Sequence, residues 1–301
     1  MTKKSATILF FGSGPVAAES LRLLAHDFAI EAVITKPRAA HHRGEVPVLT
    51  AASELKLQTF TVNDQRELAA LSRAAFKSPL GILIDFGIMV PPKVINYFPL
   101  GIINSHFSVL PEWRGADPIS FAILSGQKST GVSLMQLVPK LDEGPLLAYG
   151  EYELPANITA PELTEHLINF SHLMLKEAVP KYLNDKKPGQ PQSVTGRQVS
   201  YSRKLTKADG ELDFTKPAEQ LEREVRAFLG WPRSRTRLGG VGIVVTQAHV
   251  EPGQGDPGKV WRQDKQFGFY TAKNILVIDR LIPAGKPEMP AAAFLAGYKI
   301  V

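Results

Sequence analysis

A chain of 301 residues, 44% of them hydrophobic, is long enough for two domains and for a sizeable buried core. It contains no cysteine, which excludes disulfides, thiolate metal sites and a cysteine nucleophile, and no stretch approaches the roughly 20 apolar residues of a membrane helix. The net charge of +6 is unevenly placed: residues 1–189 carry 18 Lys+Arg against 18 Asp+Glu, and residues 190–301 carry 17 against 11.

The whole basic excess therefore lies in the last third. A polyanionic partner is one reading of it, because cations near phosphates release counterions, and a merely basic surface is the other. The opening Met-Thr-Lys-Lys-Ser leads straight into a strand without the apolar region of a signal peptide, so a cytoplasmic location is expected.

Residues 6 to 11, Ala-Thr-Ile-Leu-Phe-Phe, read as a buried strand that ends in Gly12-Ser13-Gly14-Pro15 and opens a helix around Val16 to Leu24. The Gly-x-Gly is half of a dinucleotide fingerprint. The third glycine position is Ala17, however, and no acidic residue ends the next strand, Ile30 to Thr35, so no nicotinamide cofactor is expected. The basic loop from Lys36 to Gly44 holds His41 and His42 without a third ligand at metal-binding spacing, which makes it a solvated loop. Helical periodicity at Val48 to Leu55 and Asp64 to Phe76 alternates with the apolar runs Phe60 to Val62 and Gly81 to Ile84. That alternation predicts a Rossmann-like α/β fold with a doubly wound, mostly parallel sheet.

An apolar strand beginning at Ile102 then runs into Asn104 and His106, whose i, i+2 spacing sends both side chains to one face. A carboxamide that donates two hydrogen bonds and an imidazole that carries a proton near neutral pH suit a tetrahedral oxyanion. Taken alone, Asn-x-His is also an ordinary polar strand end. The segments after it separate the two readings: Ser108-Val109-Leu110-Pro111, then Arg114-Gly115, then Thr130-Gly131-Val132 leading to Asp142-Glu143-Gly144.

This ordered string resembles the folate-dependent formyltransferases, whose hallmark is Asn-x-His, then Ser-Leu-Leu-Pro, then Arg-Gly, and later an Asp-x-Gly turn after a Thr-Gly strand. The resemblance implies catalytic roles for Asn104, His106 and Asp142. It implies folate contacts at the turn Phe86, Gly87, Ile88, Met89 and Val90 and at Ser108, Val109, Leu110 and Pro111, with 10-formyltetrahydrofolate as co-substrate and no metal. The chain departs from the family at Ser13 and Gly14, where Gly-Thr-Pro is usual, at Val109 for leucine, at Phe107 where a small residue is common, and at Asp117 for alanine.

Beyond the site, Pro118 to Ser125 reads as a helix, Gly131 to Leu137 and Leu146 to Leu154 as strands, and Thr159 to Leu183 as a long amphipathic helix. The expected apolar stripe of that helix is Leu163, Leu167, Phe170, Leu173, Met174 and Val179. Lys186 to Pro191 breaks all periodicity. A helix at Gln220 to Phe228 ends in Gly230-Trp231-Pro232, and five glycine-punctuated strands between Ser234 and Leu281 predict a small closed barrel of the OB type. The division expected is a catalytic domain at 1–188, a linker at 189–205 and an OB-like domain at 206–301.

Val225 to Pro232 and the closing Pro283-Ala284-Gly285-Lys286 resemble the methionyl-tRNA formyltransferases in particular. That resemblance implies initiator methionyl-tRNA as acceptor; Arg43, Lys204, Arg233, Arg235 and Arg237 are the candidate tRNA contacts, and a monomer is expected. Two other readings stay open from the sequence. One is a formyltransferase acting on an amino-sugar nucleotide, and the other is a non-catalytic folate- or RNA-binding protein.

Overall fold

The computed structural model describes residues 6–38, 44, 46–71 and 76–298. In chain order it begins with β1 (Thr7–Phe11), α1 (Pro15–Asp27), β2 (Ala29–Thr35), α2 (Pro47–Glu54), β3 (Thr59–Thr61), α3 (Gln65–Leu71) and β4 (Gly81–Leu83). There come next α4 (Pro92–Ile95), β5 (Ile102–His106), β6 (Arg114–Gly115), α5 (Pro118–Ser125), β7 (Ser129–Gln136), β8 (Leu146–Glu153) and α6 (Ala160–Asp185). The chain ends with β9 (Tyr201–Ser202), α7 (Ala218–Ala227), β10 (Ser234–Leu238), β11 (Val241–Glu251), β12 (Val260–Gln263), β13 (Gln266–Tyr270), β14 (Ile275–Pro283), β15 (Met289–Pro290) and α8 (Ala291–Gly297). Among the described residues no helix is long and apolar enough to cross a membrane.

Residues 1–115, 129–153 and 164–201 form one unit, built on a seven-stranded sheet in the order β3-β2-β1-β4-β5-β7-β8. Its first five strands are parallel, which is why they read as unbroken apolar runs: Ile8, Leu9, Phe10 and Phe11 are all fully buried. Strand order proceeds outward from β1 through β2 to β3, then resumes on the other side of β1 with β4 and β5. That reversal is a topological switch point, and it opens the crevice beyond the carboxyl ends of β1 and β4 where such sheets bind ligands. β7 and β8 complete the sheet in antiparallel pairing.

The switch-point turn explains Gly14. The backbone N–H groups of Ser13 and Gly14 donate to the Asp85 carbonyl (2.9 and 3.3 Å), and a Cβ on Gly14 would lie 1.8 Å from Asp85 Oδ2. Glycine stands at position 14 because the β4 loop approaches the turn directly, leaving no room for a Cβ and taking up the backbone N–H that proline lacks; nothing in the structure explains Ser13. Phe11 stacks edge-on against Phe86, with centroids 5.7 Å apart, and anchors the start of that loop in the core.

The long helix corrects one expectation. Its buried positions are Leu163, Leu167, Ile168, Ser171, Leu175 and Val179, whereas Leu173 is 62% exposed. Steps of four residues from 163 to 179 trace a stripe that slants along the cylinder, so Leu173, two residues from Ser171 and Leu175, lies on the far side.

Residues 116–128, 154–163 and 202–301 form the second unit. Its ladders run β10-β11-β14-β13-β12, with β15 on β14, all antiparallel. Among the described residues no further ladder joins β10 to β12. Gly239 and Gly240, both at positive φ (53° and 79°), make the two-residue turn between β10 and β11. α7 lays Ala218, Leu221 and Val225 in one core with Phe267, Phe269, Leu276 and Ile278 of the sheet and Phe294 of α8. α5 joins this unit through Arg223, whose Nε donates to the Leu124 carbonyl at 3.0 Å. Asp117 has a structural part here too: it takes the left-handed N-cap position of α5 (φ 57°), and its Oδ2 accepts the Leu205 N–H at 2.8 Å.

Candidate active site

β5 carries the decisive pair because of strand alternation. Ser105 faces α6, where its hydroxyl meets that of Ser171 at 2.7 Å, so its neighbours Asn104 and His106 face the opposite side of the sheet. β5 fixes their depth by register: Asn104 lies beside Leu83 on β4 and Met135 on β7, and His106 lies beside Ser133. Both are 7% exposed.

Asp142 arrives from the turn after β7. It is 8% exposed and sits at φ 50°, in the left-handed region that few non-glycine residues adopt and that aspartate enters more readily than most. Its Oδ2 accepts the Gly115 N–H at 2.7 Å and lies 3.8 Å from His106 Nδ1; its Oδ1 lies 3.4 Å from Asn104 Nδ2. An amide and an imidazole distant from it in sequence thus converge on one carboxylate.

His106 Nε2 is 2.9 Å from the Trp113 carbonyl. A carbonyl only accepts, so Nε2 carries a hydrogen, and the neutral ring presents an unprotonated Nδ1 towards Asp142. At 3.8 Å that nitrogen and the carboxylate are near neighbours without a direct hydrogen bond. The site therefore contains an amide donor, a basic ring nitrogen and a carboxylate within one small volume. Such a set can stabilise a developing oxyanion and move a proton.

The segment Ser108 to Pro111 is pinned to β7: the Leu110 N–H donates to Ser133 Oγ at 2.9 Å, and that hydroxyl donates to the Ser108 carbonyl at 2.8 Å. Val109 and Leu110 are fully buried, Leu110 beside Met135 and Leu146, so their side chains are core and what the segment offers a ligand is its backbone course. The Leu110–Pro111 peptide is cis. Phe107 is also buried, at 7% exposure.

In the β4 loop, Phe86 is buried and Ile88 and Val90 are half-buried, while Met89 is 57% exposed. Gly87 takes a positive φ of 67°, and its carbonyl accepts from Lys36 Nζ at 2.8 Å. Beside the site, burial pushes the Glu112 carboxyl up from its ordinary value, with Arg197 at 3.6 Å acting in the opposite direction. Among the described residues no three of His, Asp and Glu gather as metal ligands.

The basic candidates fare differently from one another. Arg43, like His41 and His42, lies outside the described residues. Lys204, Arg233 and Arg237 are exposed. Arg235 is engaged within its own unit: it pairs with Glu211 at 2.9 Å and donates to the carbonyls of Pro232 (3.0 Å) and Lys207. Sequence reasoning missed Trp113 and Gln192, the first because its contribution is a carbonyl, the second because it lies in a stretch without periodicity.

The formyl transferase family profile matches residues 7–179, and the profile of the formyl transferase C-terminal domain matches residues 204–299. A methionyl-tRNA formyltransferase of Roseiflexus castenholzii is 31% identical over 98% of this chain and 97% of its own length, and one of Ectopseudomonas mendocina is 35% identical over 94% and 92%. The chain belongs to the methionyl-tRNA formyltransferase family.

Solved structures share its architecture. The N-formyltransferase from Helicobacter canadensis, solved with folinic acid and dTDP-3-aminofucose, superposes with a TM-score of 0.66 at 16% identity, covering 90% of this chain and 97% of that one. HypX from Aquifex aeolicus in complex with tetrahydrofolic acid gives a TM-score of 0.64 at 16% identity, over 97% of this chain and 47% of that one. At such identity these two speak for the formyltransferase fold, while the full-length relatives speak for the branch of the family.

Proposed function

We propose that this formyltransferase moves the formyl group of 10-formyltetrahydrofolate to the α-amino group of methionine esterified to initiator tRNA. The observation that carries the reading is the convergence of Asn104, His106 and Asp142 in a chain that matches methionyl-tRNA formyltransferases along nearly its whole length. The neutral amine attacks the formyl carbon, a C–N bond forms, and the carbonyl π pair moves to oxygen. Asn104 Nδ2 donates to that oxyanion. As the tetrahedral centre collapses, the bond to N10 breaks and N10 leaves with a proton, so that the amine's lost proton balances the one gained by the leaving group.

Asp142 orients His106 and accepts the amine proton directly or through water, and His106 Nδ1 relays a proton or, when charged, adds a second donor to the oxyanion. Folate binds at Phe86 to Val90 and Ser108 to Pro111, the first beside the switch point, where open sheets take ligands. It is a co-substrate that leaves after each turnover, and no metal takes part.

The division of labour places formyl transfer in residues 1–188, a linker at 189–205 and tRNA contact in 206–301 through Arg233 and Arg237, joined by Lys204 from the end of the linker and Arg43 from the stretch after β2. Arg235 is a weaker candidate because its guanidinium is already satisfied. The protein acts as a cytoplasmic monomer.

The test is direct. Purified protein is incubated with 10-formyltetrahydrofolate and either methionyl-initiator tRNA or amino-sugar nucleotides, and the acceptor is assayed for formyl. Transfer to the tRNA is expected; formylation of the sugar alone, or of neither, overturns the reading.

A further inference from the structure

The stretch that reads as a linker from sequence grips the turn that presents Asp142. Gln192 is 7% exposed, and every hydrogen-bonding end of its carboxamide is directed. Its Oε1 accepts from Arg114 Nη2 (2.7 Å) and Nε (3.2 Å). A guanidinium can only donate, so this contact decides which end of the amide faces Arg114 and turns the NH2 group the other way. There it donates to the carbonyls of Asp142 (2.7 Å) and Gly144 (3.0 Å), one on the residue at positive φ and one two positions further on.

The neighbours of Gln192 fasten the adjoining loops in the same manner. Gln190 and Leu146 exchange two backbone hydrogen bonds of 2.7 Å. Thr195 Oγ1 donates to the Leu110 carbonyl at 3.0 Å. Ser200 donates its N–H to the Pro111 carbonyl (3.2 Å), while its Oγ accepts the Trp113 N–H (2.9 Å) and its carbonyl the Arg114 N–H (3.0 Å). Trp113 is the residue whose carbonyl holds His106, and Gly115, next to Arg114, donates to the Asp142 carboxylate.

We propose that Gln192 is a positioning residue for formyl transfer: by holding the Asp142 and Gly144 carbonyls it sets the Asp142 carboxylate where Gly115, Asn104 and His106 meet it. Arg114 orients the Gln192 amide. The side chain touches no reacting atom, so its effect passes through Asp142. The inference rests on the proposed activity for its kinetic test, but the position of the turn can be read without turnover.

Gln192→Met keeps the length of the side chain and removes its hydrogen bonds to Arg114, Asp142 and Gly144. The expected result is a kcat for formylation of methionyl-tRNA lowered about tenfold to a hundredfold, the scale seen when a group that orients a working side chain is lost, with the KM for 10-formyltetrahydrofolate within about twofold of its starting value. Gln192→Glu retains the contact with Arg114 but sets a carboxylate against two carbonyls, and it is expected to be at least as slow. In an Asp142→Asn background Gln192→Met is expected to cost little more, because the group it positions is already gone. Arg114→Met, which leaves Gln192 in place, is expected to reproduce part of the loss and serves if Gln192→Met does not fold.

Fully additive losses in the double variant, or a Gln192→Glu enzyme as fast as the parent, would overturn the assignment. So would a crystal structure of Gln192→Met in which residues 142–144 keep their conformation. Failure of the unaltered protein to formylate any acceptor strikes instead at the proposed activity, and the crystal structure then decides whether Gln192 sets the turn.

Discussion

The two units of this formyltransferase use polar side chains in opposite ways. In the first, Asn104, His106 and Asp142 are almost wholly buried, each held to a place by a sheet register or a backbone hydrogen bond, and each with capacity left over. In the second, Arg233 and Arg237 are exposed and need little positioning. Chemistry on a carbonyl demands donors and bases placed to within a fraction of an ångström, whereas attraction of a polyanion acts over a Debye length and tolerates motion. Burial and fixation suit the chemistry we propose for the one, exposure and sign of charge the tRNA contact we propose for the other.

Asn104 puts that contrast under the greatest load. Asn104→Ala is expected to lower kcat a hundredfold or more, about 3 kcal/mol of transition-state stabilisation, as for the loss of one oxyanion donor elsewhere. Single-turnover transfer measures it, and an unchanged thermal midpoint shows that folding is intact. A rate within a few-fold of the parent would mean that the amide does not meet the oxyanion.

The second unit should answer to salt instead. For the pair Arg233→Ala with Arg237→Ala, the slope of log affinity for tRNA against log salt is expected to shrink by about 2 in magnitude. The rate of transfer at saturating tRNA is expected to hold. A slope that does not change would remove this face from the tRNA contact.

Core substitutions in the second unit should be silent in chemistry. Ile278 is 1% exposed between α7 and the sheet, and Ile278→Val is expected to cost about 1 kcal/mol of stability in denaturant unfolding with kcat unaltered. A matching loss of kcat would show that the two units are energetically inseparable.

A still slighter effect concerns Asp209, the capping-box residue after Thr206. Arg203, whose guanidinium donates to both of its oxygens (2.5 and 2.9 Å), and the Thr206 N–H hold its carboxyl well below the usual carboxylate range, against the opposing effect of burial. A depressed folded value means that the stabilisation is present above the unfolded value near 4 and is lost as pH falls through the folded one. Asp209→Asn is therefore expected to cost about 1 kcal/mol at pH 7, limited by the exposure of Arg203, and progressively less in acid. A cost that does not vary with pH would assign the effect to capping geometry alone.

Much of this was legible in one dimension. Alternation of apolar runs with helical periodicity announces the parallel sheet, since a strand buried on both faces has no polar side to show. The i, i+2 spacing of Asn104 and His106 puts both on one face, because the period of a strand is two wherever it lies. Folding supplied the rest. Leu173 counts as apolar at helical spacing, yet the stripe of α6 passes it by, because which face is buried depends on what the helix packs against. Gly14 reads as a departure from a motif until the approach of Asp85 explains it, and Asp117 until Leu205 does.

That an amide, an imidazole and a carboxylate are present, and that the first two share a face, is written in the order of residues, because covalent geometry and strand period act between neighbours. It took the folded chain to bring Asp142 to them, to settle through the Trp113 carbonyl which ring nitrogen of His106 is free, and to fasten the turn with Gln192 from an unpatterned stretch. Hydrogen bonds between residues 38 and 50 positions apart leave no periodic trace, since their geometry exists only after the sheet has set the register.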